Sequence, residues 1–261
     1  MAVGAGAAVL VGVVLAVVVP ELAMAAPVAP VAPVVPTPTP GDLSIQINGP
    51  DGAPSTSIVV LLGITLLSVA PALLLMMSSF TKIFVVLAMT RNAIGLNSIP
   101  PNQVIAGLAL FLSLFIMWPV LGDVNVHAVQ PYLNGTMDFG GALHAAAGPL
   151  KGFMLAHVRE EDIALMTRAA GQANPASPQA VPMVTLIPAF MISELRAAFI
   201  IGLVIFVPFL VIDLVVSSGL MAMGMMMLPP VMIALPFKIL LFILVDGWGL
   251  IITSLVQSYR T

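Results

Sequence analysis

The sequence has no cysteine among its 261 residues, which excludes disulfides, thiolate metal sites and a cysteine nucleophile. Charge is nearly as scarce. Lys+Arg number 8 and Asp+Glu 11, or 7% of the chain, where an ordinary globular protein carries roughly a quarter. So few charges cannot cover the surface of a water-soluble body of this size. The formal net charge of −3 leaves none of the basic footprint that binding nucleic acid requires. No Gly-rich stretch ends in Gly-Lys-Ser/Thr, so the sequence offers no phosphate loop for ATP hydrolysis. What is present is apolar: 60% of residues are hydrophobic and the mean hydropathy is +1.15. That composition is the composition of a membrane protein.

The first 20 residues carry no charge, and an Ala/Val/Gly/Leu run is followed by Pro20, Glu21 and Ala23-Met24-Ala25. The pattern predicts a signal peptide over 1–25, although the amino terminus alone supplies its positive charge. Between residues 27 and 40 six prolines recur at two- or three-residue spacing, which favours extended polyproline II. Turn signals follow to residue 57. Residues 26–57 therefore read as a Pro-rich linker on the outer side, and the folded part is expected from Ile58.

Four apolar stretches follow, each interrupted by Pro or Gly. Residues 58–77 are long enough to cross a bilayer, whose core takes about 20 apolar residues. Residues 104–121 form the second stretch, after the Pro100-Pro101-Asn102 break. Between the two stand Lys82 and Arg91 with no acid, whereas 122–181 carries Lys151, Arg159 and Arg168 against Asp123, Asp138, Glu160, Glu161 and Asp162. The positive-inside rule places the Lys82/Arg91 connection in the cytoplasm and 122–181 in the periplasm. A signal peptide puts the mature N-terminus on that same outer side.

All three histidines, His127, His144 and His157, lie in this outer segment, 17 and 13 residues apart, and read as ordinary polar residues because that spacing suits no metal. The last third, 182–258, contains apolar runs at 197–212 and 214–237 with Pro208, Pro229, Pro230 and Pro236 inside or beside them. Two broken helices are expected there. Freed backbone groups at each proline need neighbouring helices, which points to an assembly. The fold class predicted is all-α: an integral membrane protein with about four helices in hairpins.

Five charges fall in or beside the apolar stretches: Glu194, Arg196, Asp213, Lys238 and Asp246. Insertion of an isolated Asp, Lys or Arg at a helix centre costs about 2.5–3.5 kcal/mol, so these groups are expected in ion pairs within or between subunits, or at a helix end, rather than in a proton relay. Asp213 and Lys238 flank one turn, and a returning hairpin would bring them together. That turn is the most unusual part of the sequence. Five of the nine residues 219–227 are methionine, namely Met221, Met223, Met225, Met226 and Met227, beside Gly224 and followed by Leu228-Pro229-Pro230. Methionine is unbranched and polarizable, which suits a deformable seal better than a rigid core. Three consecutive positions cannot share one helix face at about 100° per residue, so a non-helical lip is at least as well supported as core filling.

Several segments in order resemble the FliP family of flagellar export-gate proteins. They are Phe80-Thr81-Lys82-Ile83, Arg91-Asn92-Ala93-Ile94-Gly95, Pro100-Pro101-Asn102-Gln103-Val104 and Leu108-Ala109-Leu110-Phe111-Leu112. In the C-terminal half Phe190-Met191-Ile192-Ser193-Glu194-Leu195, the residues from Phe206-Val207-Pro208 to Asp213, the methionine run, Leu235-Pro236-Phe237-Lys238 and Val245-Asp246-Gly247-Trp248 agree. The resemblance covers about 58–258. It implies a subunit of the inner-membrane gate of a type III secretion apparatus, a pentamer assembled with FliQ- and FliR-like subunits and other export-apparatus membrane proteins. Unfolded flagellar subunits would pass through it, no cofactor is implied, and tilted hairpins would rise toward the periplasm. The resemblance also implies that Met225, Met226 and Met227 form a pore gasket, with Met221, Met223, Gly224, Pro229 and Pro230 supporting the loop.

Three other readings compete with this one. An injectisome gate would use a related subunit, usually without a signal peptide. A small-solute secondary transporter would use broken helices and midplane charges such as Asp213, but the two halves show no inverted repeat. A membrane-embedded enzyme needs a close acid pair or a Ser-His arrangement on the apolar helices, and the sequence shows neither.

Overall fold

The computed structural model describes residues 56–96, 98–225 and 227–260. The predicted signal peptide over 1–25, nearly all of the linker over 26–57, and Met226 lie outside the described residues. Among those described, the regular structure is entirely helical. Helix α1 spans Thr56–Met76, α2 Phe80–Ile94 and α3 Asn102–Val124, which runs through a π-helical turn at Asn125–Val129 into the short α4, Gln130–Leu133. Helix α5 covers Phe139–His157 and α6 Glu160–Ala169. Helix α7 then runs unbroken for 40 residues over Met183–Ala222, before α8, Pro230–Leu244, and α9, Gly247–Gln257.

Two of these rods, Asn102–Leu133 and Met183–Ala222, are long and apolar enough to cross a membrane. Two bent pairs meet the same test when taken together: Gly63–Met76 with Phe80–Ile94 at 63°, and Pro230–Leu244 with Gly247–Gln257 at 59°. At 1.5 Å per residue α7 is about 60 Å long, twice the roughly 30 Å of a hydrocarbon core. A helix of that length exceeds what one crossing of a bilayer core requires.

Helix α7 is the axis of the fold, with α2, α5, α6 and α8 packed along it. Ile83, Val86 and Leu87 of α2 are fully buried against Ala198 and Phe209 of α7, and Phe242, Ile251 and Leu255 close this core from α8 and α9. A second cluster joins Met117, Phe153, Met154, Leu186, Phe190 and Tyr259. Where α2 approaches α7, a Cβ at Gly202 would overlap the Met89 thioether, so a larger residue there would make that side chain shift.

Several expectations are corrected. Lys82 and Arg91 do not form a loop between membrane segments, because both lie inside α2, and the connection to α3 is residues 95–101. Lys82 is only 4% exposed and finds a buried partner, so the orientation argument rests on Arg91 alone. The Arg91 guanidinium fastens the connection, donating to Pro100 O at 3.1 Å and Asn102 Oδ1 at 2.7 Å. Of the two broken helices expected over 182–258 only the second is broken, at the bend between α8 and α9: α7 passes through Pro188, Pro208 and Asp213, and the turn between α7 and α8 falls at 223–229. Packing on four neighbours holds the helix where each proline removes one hydrogen bond. Pro229 and Pro230 start α8, where a missing N–H costs nothing, and Pro236 sits within it. The 122–181 segment is helical through most of its length.

Candidate functional site

The first half of α7 carries a buried polar cluster. Glu194 is 1% exposed, and its Oε1 lies 3.4 Å from Lys82 Nζ of α2. Its other oxygen accepts a hydrogen bond from the hydroxyl of Tyr259, which follows α9. The Lys82 ammonium stands 3.6 Å from the centroid of that same Tyr259 ring. Tyr259 stacks on Phe153 and lies against His157, with ring centroids 5.9 Å and 5.0 Å away. Burial, with the Glu194 charge beside it, holds the Tyr259 phenol well above its ordinary pKa, so it remains an O–H donor. A buried ion pair is tolerable only when further contacts satisfy its lone pairs and protons. Here one tyrosine touches both ions.

Two residues later, on the other side of the helix, Arg196 reaches outward to Glu161 Oε2 at 3.4 Å and Asp162 Oδ1 at 3.7 Å, both on α6. Asp162 also accepts from Ser193 Oγ at 2.6 Å, and Ser193 Oγ accepts from Arg159 N at 3.1 Å. These bonds fasten the start of α6 to α7.

About 28 Å farther along α7, at 1.5 Å per residue, Asp213 Oδ2 accepts from Lys238 Nζ of α8 at 2.6 Å. Lys238 is 4% exposed and also reaches Ala93 O at 3.5 Å, near the end of α2. The structure thus brings Asp213 and Lys238 together across the methionine-rich turn. Asp246 takes the helix-end place rather than an ion pair within the subunit. Among the described residues it has no cationic partner within 4 Å, and it serves as the N-cap of α9, at φ 49°, accepting from Gly249 N at 3.4 Å. Its position between the bent helices explains why: the N–H groups that open α9 point at it.

The turn between α7 and α8 is non-helical over the described residues of 223–229. Gly224, at φ 71°, ends α7: its N–H bonds to Met221 O and that of Met225 to Leu220 O, both near 3 Å. This is the left-handed cap that glycine accommodates at no steric cost. Met221, Met223 and Met225 are exposed, and Met227 is 99% exposed. The side chains stand clear of the subunit's core.

The histidines stand apart from one another. His127 lies on the π-helical turn with Nδ1 2.8 Å from Asp123 O, His144 lies on α5, and His157 packs against the Tyr259 cluster. No group of three or more His, Asp or Glu among the described residues is arranged to hold a metal. Sequence reasoning missed Lys82 and Tyr259 as partners of Glu194. The one available signal for Lys82 was a lone cation 4 to 5 residues past an apolar run, beside Phe80 and Ile83. For Tyr259 there was none.

A pair of membrane-length helices, two bent helical pairs and ion pairs tucked between them define an all-helical membrane protein with polar ties inside an apolar body. Within that class, the FliP family model matches residues 63–255, so the chain belongs to the FliP family. Among its relatives, the flagellar biosynthetic protein FliP of Bacillus subtilis (strain 168) is 51% identical over 205 residues, covering 78% of this chain and 93% of the relative. The FliP of Pectobacterium carotovorum subsp. carotovorum is 50% identical over 212 residues, covering 80% and 82%. That of Aquifex aeolicus (strain VF5) is 42% identical over 218 residues, covering 83% and 91%.

Proposed function

We propose that this chain is a pore-forming subunit of the flagellar type III protein export gate, passing unfolded flagellar subunits across the inner membrane. It works as a homo-oligomer, a pentamer by family resemblance, together with FliQ- and FliR-like subunits and other membrane components of the export apparatus. The observation that carries this reading is the family match across 63–255, joined to a methionine-rich turn with exposed side chains at the end of the longest helix. Its role is passage, and no catalytic step is assigned to it. Met225, Met226 and Met227 act as the gasket. Each subunit contributes them to a ring that stays closed to ions at rest and deforms around a passing chain, as flexible thioether side chains allow. Met221, Met223, Gly224, Pro229 and Pro230 support that turn. The mature N-terminus and 122–181 face the periplasm.

The test begins with a strain lacking this gene. Filament assembly and export of flagellar subunits into the medium should fail and return with the gene; normal filaments without it would overturn the flagellar reading. Replacing Met225, Met226 and Met227 together by Ala should make the membrane leak ions. Normal permeability and normal export in that variant would remove the gasket.

A further inference from the structure

The chain from Glu194 to Tyr259 closes on itself. It runs up α7, through the methionine turn, back down α8, across the 59° bend into α9, and returns to Glu194 through the Tyr259 hydroxyl. Lys238 and Asp213 cross-link this closed course partway along. The turn therefore sits at the end of a hairpin fastened at two rungs, one near it and one far from it. The far rung joins four elements, because Tyr259 also packs on Phe153 and His157 of α5 and over Lys82 of α2. Beside it, Leu255 of α9 is fully buried in the α2–α7 core.

We infer that Tyr259 is a positioning residue: its hydroxyl bond to Glu194, together with its ring face on Lys82, holds α9 against α2 and α7 and so fixes the return arm behind the methionine turn. The chemistry supports this role over that of a space-filling aromatic. Phenylalanine would fill the same volume between Phe153 and His157 and would still present a ring to the ammonium. Only the hydroxyl reaches the second carboxylate oxygen, and a hydrogen bond to a buried charge is about twice as strong as a neutral one. Lys82 supplies Glu194 with a single contact at 3.4 Å, so Tyr259 is the partner that completes the carboxylate. The assignment of Tyr259 stands on this geometry alone, whereas its consequence for permeation rests on the gate reading above.

The chain has no cysteine of its own, so a single cysteine reports on one place. Leu255→Cys, in the full-length protein in native membranes, should react slowly with a maleimide because the site is closed. Adding Tyr259→Phe should raise the labelling rate at least tenfold, the factor that loss of a charge-assisted hydrogen bond gives in an opening equilibrium. The same change made with Lys82→Met and Glu194→Leu, which remove both charges, should leave the rate within about twofold, since no carboxylate remains to be satisfied. Equal acceleration in both backgrounds, or none in the first, would overturn the inference and leave Tyr259 a packing residue. If the neutral pair fails to fold, Glu194→Gln replaces it, and the effect of Tyr259→Phe should fall by about half on the logarithmic scale; an undiminished effect overturns the inference there too. Export and ion permeability are read in the same strains. Fast Leu255→Cys labelling in Tyr259→Phe, alongside normal permeability in the triple methionine variant, would keep the clamp and discard the gasket.

Discussion

The two ends of α7 are built on opposite principles. Toward its start, Ser193 and Glu194 are buried and tied through hydrogen bonds and ion pairs to α2, α6 and Tyr259. Toward its end, Leu214, Val215, Met221 and Met223 lie exposed, and the chain leaves the helix into a turn whose Met227 is almost wholly open. Directional bonds specify one arrangement, because a buried charge moved by a few ångströms loses its partner at full desolvation cost. Apolar contacts specify little. The polar ties of α7 are dense near its start and thin to the single Asp213–Lys238 pair farther along, so only the last turns and the methionine turn beyond that pair are held by apolar contacts alone.

The strongest way to break the tied end is to strand one charge. Lys82→Met leaves Glu194 buried beside Tyr259 alone, and removing one partner of a buried pair costs about 3–5 kcal/mol. The full-length protein should lose most of its folded yield, and its unfolding midpoint in detergent should drop by 6 °C or more, at about 2–4 °C per kcal/mol for a chain of this size. Replacing both charges, with Lys82→Met and Glu194→Leu, should restore most of that loss, because a well-packed apolar pair is often neutral or better. A double variant as unstable as the single one would show that the polar tie is not what fixes this end.

The Asp213–Lys238 rung lies between the two regimes, and reversing its charges sharpens the comparison. Lys238 is buried while the Asp213 side chain is 31% exposed, so part of the cost of breaking the pair is relieved by solvent. Asp213→Lys or Lys238→Asp alone should destabilise by about 1.5–3 kcal/mol, the range of a hydrogen bond to a charged group, and should abolish export. The double swap should recover part of both losses if the two side chains contact directly. Failure to recover anything would mean that Ala93 O, which Lys238 also faces at 3.5 Å, sets the position of the lysine instead.

The contrast between the ends also explains what was legible in the sequence. The apolar helices, the methionine turn and the Asp213–Lys238 pair were readable because each is local, or is generated by a simple hairpin return. Asp246 was half legible, because a lone acid in an apolar stretch reads equally as an ion-pair partner or a helix end, and it is the bend before Gly247 that makes it a cap. The continuity of α7 through Pro208 and Asp213 was not readable, since it depends on packing from four other helices. Lys82 read as part of a cytoplasmic connection because hydropathy registers a lysine only as a charge. Its partners stand 112 and 177 residues away in sequence, and no local pattern announces a contact of that range.

At the open end the smallest change in stability should accompany a change in function. Met227 is 99% exposed and lies in the turn, so Met227→Ala removes almost no buried surface and should shift the unfolding free energy by no more than about 0.5 kcal/mol. The same truncation removes a flexible thioether from the proposed ring, so ion permeability should rise without any loss of assembled protein. A variant that leaks while folding normally would separate the two ends of α7 by experiment, one serving the fold and the other serving passage. If instead Met227→Ala unfolds the protein, the turn packs against the subunit itself, and its methionines then belong to the core rather than to a seal.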